Sequence, residues 1–220
     1  MRRDLFDALR PVCPQCRQNA QQDHPLLLAH VIQENEHGLI EGVLHCSNPA
    51  CQLEYPVIDG IPIIVPDIRN YITQSLNHIT ARRDLSGTIE SILGDCAGPG
   101  THFNVDRQHL SSYAWDHYGD LGAGPKLPVR LEQAPAGSIV SCLNRGLELI
   151  DPLANKPMID LGCSVGRTTF ELAERYQQPT LGIDMNFSML RLAQSILRQE
   201  ECNFPLRRTG LVYDQFIPDT

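Results

Sequence analysis

The chain has 220 residues, of which 42% are hydrophobic and 20% charged, a balance that excludes wholesale disorder, collagen and coiled coil. Its net charge is -8, and no region is basic: four basic face nine acidic residues in 1–68, eight face nine in 69–156 and six face eight in 157–220, so no broad nucleic-acid-binding surface is expected. The first residues lack the apolar stretch of a signal peptide, and the greasiest segment, YPVIDGIPIIVP, is broken by Asp59, Gly60 and three prolines, so no export, no membrane span and a cytoplasmic location are expected.

Cysteines dominate the N-terminal region. Cys13 and Cys16 form a C-P-Q-C pair, and Cys46 and Cys51 a C-S-N-P-A-C pair. Two close pairs far apart suit tetrahedral zinc, with each turn presenting two thiolates, better than a redox dithiol or unbound thiols. Between the pairs, LLLAHVI and GLIEGVLHC read as strands of a hairpin turning near Gly38, with His45 a surface strand residue rather than a ligand. EYPVIDGIPIIVPD reads as a strand, an Asp-Gly turn and a second short strand ended by Pro66. A zinc ribbon over 1–68 is the expectation, its stability supplied mostly by the metal.

Residues 69–156 read as a helical connector or lid. Periodicity places helices over 69–94 and over 106–121, and another, capped by Ser138, over 139–150. A loop rich in Gly and Pro, GAGPKLPVRLEQAPAG, separates the last two. Tyr113, Trp115, His117 and Tyr118 read first as packing residues and second as a lid over a ligand. Cys96, Cys142, Cys163 and Cys202 are scattered and read as buried thiols.

From 157 to 220 the pattern becomes strand, glycine turn, helix, strand, turn, helix. MIDLGCSVG, RTTFELAERY, TLGIDM and NFSMLRLAQSILRQE form a βαβα sequence typical of a doubly wound sheet, which binds ligands at the carboxyl ends of its strands. Gly162 lets the backbone turn, Gly166 opens the next helix, and Asp184, 22 residues after Gly162, ends the second strand, where its carboxylate can accept hydrogen bonds from ribose hydroxyls. A dinucleotide turn would place glycine also at Ser164 and Arg167, so a pyrophosphate loop is poorly supported. Asp160 within the turn suits an ammonium group. A ligand with ribose, adenine and an amino acid end fits, and S-adenosylmethionine has those parts.

MIDLGCSVGRTTFELAERY with TLGIDMNFSML resembles the first two motifs of class I S-adenosylmethionine-dependent methyltransferases. The resemblance implies that Asp160, Gly162, Cys163 and Gly166 surround the methionine part, that Asp184 holds the ribose and that Met185 packs on adenine. Ser164 departs from the glycine common in that family. CPQC, CSNPAC and YPVIDGIPIIVPD resemble the small zinc-ribbon activators that partner methyltransferases acting on RNA and on translation factors. Together the resemblances imply an α/β chain: a zinc ribbon with structural Zn2+, helices, and a partial Rossmann-like doubly wound sheet carrying S-adenosylmethionine.

The chain ends 36 residues after Asp184. LVYDQFI adds one further candidate strand, and so few strands cannot bury both faces of a doubly wound sheet. A fragment is therefore expected, or a half-domain completed by a partner chain or a second copy. The expected function is methyl transfer to an acceptor that is an RNA, a protein or a small molecule, with no catalytic base identified. The alternative is a non-catalytic zinc-ribbon module that binds or activates a partner methyltransferase. The Arg207-Arg208 pair reads as a solvated face rather than an RNA contact.

Overall fold

A computed structural model describes residues 1–81, 85–122, 135–150, 156–198 and 204–216. The chain divides into two compact units, Met1–Ala81 and Arg82–Thr220. The core of the Gly- and Pro-rich loop, at 123–134, and Cys202 lie outside the described residues.

The first unit begins with two short helices, α1 (Arg3–Leu9) and α2 (Pro14–Ala20), followed by strands β1 (Leu26–Asn35), β2 (Gly38–Cys46), β3 (Glu54–Ile58) and β4 (Ile61–Pro62). The four strands form one antiparallel sheet in sequence order. Glu36 and His37 close the first hairpin, where the His37 amide donates to Asn35 Oδ1 at 2.9 Å. The second hairpin turns at Asp59 and Gly60, both left-handed with φ of 52° and 79°, the conformation that a two-residue turn between twisted strands demands. Strand alternation sends Leu44 and Cys46 of β2, and Tyr55 and Val57 of β3, into the interior. Helix α3 (Ile68–Thr80), capped by Asp67 accepting from the Asn70 amide, belongs to this unit.

The second unit contains α4 (Gly87–Ala97), α5 (His102–Tyr118), α6 (Ser138–Leu147), β5 (Met158–Leu161), α7 (Arg167–Tyr176), β6 (Thr180–Ile183), α8 (Phe187–Leu197), β7 (Phe204–Thr209) and β8 (Val212–Phe216). The helical stretch expected over 69–94 is thus two helices. Ser86 supplies the break by capping α4, its hydroxyl accepting from the Ile89 amide. The core gathers Ala114 and Tyr118 of α5, Val165, Met189 and Leu192, and Phe204, Leu206 and Phe216 of the last two strands. Trp115 packs edge-on against Phe216 with ring centroids 5.9 Å apart, so Trp115 and Tyr118 are packing residues, while Tyr113 is exposed.

β5 and β6 pair in parallel through the α7 crossover. β7 and β8 form a separate antiparallel pair, so Val212–Phe216 of the LVYDQFI segment does form a strand, but its described partner is β7. Gly210, with φ of 54°, allows the tight return, and a hairpin that closes so short a loop forms its contacts at low entropic cost. Arg208 of this hairpin pairs with Asp214, and Arg207 Nε donates to the Gly210 carbonyl. Two of the thiols expected to be buried are not: Cys96 and Cys142 are exposed. The only buried residue of α4 is Gly94, and α6 buries none, so neither helix offers its cysteine an interior.

Candidate functional site

Two groups of residues carry chemistry, one in each unit. In the first, Cys13 precedes Pro14 at the start of α2, and the helical turn brings Cys16 back beside it. The Cys13 amide is held by the His24 carbonyl at 2.8 Å. The second pair stands on a turn in which the amides of Cys51 and Gln52 both donate to the Asn48 carbonyl, while the Cys46 amide donates to the Leu53 carbonyl. The two turns meet so that the four sulfurs lie within 4.8 Å of one another. Cys13 to Cys51 is 3.9 Å and Cys16 to Cys46 is 3.6 Å. Four thiolates each about 2.3 Å from a tetrahedral zinc would stand about 3.8 Å apart. The group therefore fits a zinc ion. His45 is not part of it.

Hydrogen bonding to the sulfurs also suits a metal. Burial acts to raise the Cys13 thiol, but a hydrogen bond with Tyr55 and one from the Cys16 amide outweigh it and bring the group to about 7. Burial pushes Cys46 up to about 12. The Asn48 amide and side chain point at the sulfurs of Cys46 and Cys16, at 3.4 and 3.6 Å. The cysteine spacing by itself points to neither Tyr55 nor Asn48. Asn48, two residues after Cys46, is legible as a turn former, whereas the role of Tyr55 depends on strand register.

In the second unit, the residues from Gly162 to Gly166 form a turn at the carboxyl end of β5, while Asp160, expected within the turn, is a strand residue of β5 paired with Gly182. Gly162, Ser164 and Gly166 have φ of 79°, 51° and 89°. Here a serine bears the left-handed strain, of about 1 to 2 kcal/mol, and its hydroxyl contacts Met189 Sδ at 3.1 Å. The amides of Gly162 and Cys163 both donate to the Ile183 carbonyl, that of Gly166 to the Cys163 carbonyl, and that of Ser164 to Asp184 Oδ2 at 2.9 Å. These four amides are already engaged, so the turn does not hold them out to a pyrophosphate.

Asp184 leaves the end of β6 and faces the turn. Its Oδ1 accepts from the Asn186 amide at 2.8 Å, so each carboxylate oxygen has one backbone donor and keeps a lone pair for a ligand. Asp160 Oδ2 accepts from the hydroxyls of Thr168 and Thr169, both at 2.7 Å. These threonines, in the RTT that opens α7, escape a reading of the sequence, where only their spacing to a carboxylate marks them. Cys163 is buried, 2% exposed, beneath the turn and beside Gly182. Burial, then the charges of Asp160 and Asp184, push its thiol up to about 11. The two carboxylates therefore make the turn negative. Met185 is exposed beside Asp184.

Helix α5 braces this turn. The Tyr118 hydroxyl donates to the Val165 carbonyl at 2.8 Å, and Arg167 donates to the His117 carbonyl at 3.1 Å while pairing with Glu171 and Asp120. The space above the turn is open. A Cβ on Gly162 would meet no atom within 4 Å. The turn thus offers open space beside Gly162, two carboxylates and spare acceptor lone pairs on Asp184.

On the parallel pair, Ile159, Leu161, Leu181 and Ile183 are exposed along one side. No helix of the described residues is long and apolar enough to cross a membrane. Comparison with protein-family models finds no match, and comparisons with curated proteins and with solved structures find none either.

Proposed function

We propose that the chain is an S-adenosylmethionine-dependent methyltransferase whose cofactor turn lies at the carboxyl ends of β5 and β6 in a partial Rossmann-like sheet, and whose four-cysteine ribbon holds a structural zinc. The observation that carries this reading is the hydrogen bond from the Ser164 amide to the Asp184 carboxylate, which joins the glycine turn to an acid on the neighbouring parallel strand. Asp184 would accept the ribose hydroxyls, Gly162 and Gly166 would give the turn its shape, and Asp160 would face the ammonium group. Cys163 would line the site from beneath, and Met185 would lie against adenine. The negative field at the turn favours a ligand with a sulfonium and an ammonium over a pyrophosphate.

When bound, S-adenosylmethionine supplies a methyl group already activated by positive sulfur. The work left to this chain is to hold the ligand, orient it and keep the turn rigid, which Tyr118 and Arg167 do through their bonds to Val165 and His117. The methyl acceptor is an RNA, a protein or a small molecule. Location in the cytoplasm belongs to the same proposal.

Isothermal titration of the zinc-loaded chain with S-adenosylhomocysteine tests the reading. Micromolar binding that weakens at least about tenfold in Asp184→Ala supports it. A folded chain that takes up no S-adenosylhomocysteine, or an Asp184→Ala variant with unchanged affinity, overturns it.

A second reading, a non-catalytic ribbon module that binds or activates a partner methyltransferase, is favoured by one observation. The apolar side chains exposed along β5 and β6 are the kind of surface that partner chains cover. Co-purification of a methyltransferase with the chain, coupled with no S-adenosylhomocysteine binding by the chain alone, would select it.

A further inference from the structure

The phenol of Tyr55 is wholly buried, 0% exposed, and a buried tyrosine hydroxyl needs a partner. Strand register decides which one. Tyr55 stands opposite Leu44 in the β2–β3 ladder, two residues before Cys46 on β2, and its ring lies on the interior side. Its hydroxyl oxygen is 3.2 Å from Cys13 Sγ. The sulfur and the phenol come from segments 42 residues apart, and no motif in the cysteine spacing links them.

We infer that Tyr55 is an outer-sphere residue of the four-cysteine zinc site, donating its hydroxyl hydrogen to the Cys13 thiolate and thereby holding that sulfur on the metal. This rests on reading the four cysteines as a zinc site. The direction of the bond follows from chemistry. A thiolate bound to zinc has no proton to give but keeps lone pairs, so between phenol and sulfur only the phenol can donate. Drawing electron density from a thiolate lowers its charge without removing it from the metal, and partners of this kind orient ligands and tune metal affinity.

The sulfurs are served unequally by side chains. Cys13 has the Tyr55 hydroxyl and Cys16 the Asn48 carboxamide. Cys46 receives the Asn48 backbone amide. Cys51 is the most exposed of the four. Cys13 is thus the best-anchored ligand, and Tyr55 is the residue that anchors it from the interior.

The test loads the full chain with cobalt, which reports thiolate coordination through its sulfur-to-metal charge-transfer band, and compares wild type with Tyr55→Phe. Expected is one cobalt per chain in both, a charge-transfer band at lower energy in Tyr55→Phe, and transfer of zinc from that variant to a chromophoric chelator about tenfold faster. An unchanged band together with an unchanged transfer rate would mean that Tyr55 only packs, and would overturn the inference. If Tyr55→Phe takes up no metal, the wild-type chain labelled with fluorotyrosine decides. The more acidic phenol is a stronger donor, so its band moves to higher energy if the bond exists and stays in place if it does not. A wild-type chain that takes up no cobalt overturns the zinc reading itself and the inference with it.

Discussion

The Asp184 carboxylate accepts the Ser164 amide at 2.9 Å, so the acid that follows β6 is also the peg that holds the left-handed serine of the turn after β5. Its second oxygen holds the Asn186 amide at the start of α8. One side chain therefore fixes the geometry of two backbone segments and faces the open turn at the same time.

Asp184→Ala should lower stability as well as ligand affinity, because two amides lose their acceptor. The expected cost is about 1 to 3 kcal/mol. Asp184→Asn keeps one acceptor oxygen and should lose about half as much, which urea denaturation of the two variants will measure.

Gly166→Ala should cost more than a surface substitution. The residue has φ of 89°, and an added Cβ would stand 2.8 Å from Ala193 Cβ and 2.9 Å from the Phe170 ring. Backbone strain and overpacking together are expected to remove about 2 to 4 kcal/mol. Gly162→Ala bears the strain without the clash and should lose less, a ranking that thermal denaturation will check.

His117 should make stability fall in acid. Its imidazole is 4% exposed, and burial lowers its pKa from 6.5 to about 4, with Asp160 opposing the shift and Arg167 adding to it. The unfolded chain binds this proton first, so the contribution of the group is full above about 6.5 and is lost as pH falls towards 4. His117→Leu should flatten the pH dependence between 6.5 and 4 by up to about 3 kcal/mol. Its Nδ1, buried without a partner among the described residues, is removed as well, so stability at pH 7 should change little.

Zinc analysis should return one metal per chain, and a strong chelator should abolish the cooperative unfolding of residues 1–81. Structural zinc contributes about 10 kcal/mol or more to such modules at pH 7. Cys13→Ser should lose the metal, whereas Cys142→Ser, on an exposed helix face, should keep it. Elemental analysis of the purified variants distinguishes them.

Local chemistry makes much of this protein legible in its sequence. The four cysteines and the Asp59-Gly60 hairpin each depend on residues close in the chain, whose conformational preferences act without distant partners, whereas the cap expected at Ser138 does not form, because α6 already begins at Ser138 and left-handed Gly137 precedes it with no side-chain cap. The glycine turn and the acid that follows it are legible for the same reason, since a strand, a turn and a helix each leave a pattern within a few residues.

Other relations are set only by tertiary structure. Tyr55 meets Cys13 because β3 pairs with β2 in one register, and a shift of a single residue would turn its ring to the other side of the sheet. Thr168 and Thr169 reach Asp160, and Tyr118 reaches Val165, only because the α7 crossover and the end of α5 converge on one turn. Burial is likewise a property of the whole unit, which is why Cys163 lies inside while Cys96 and Cys142 do not. Sequence spacing determines which groups are available; long-range packing decides which of them touch, because contacts between distant segments depend on how both segments are placed.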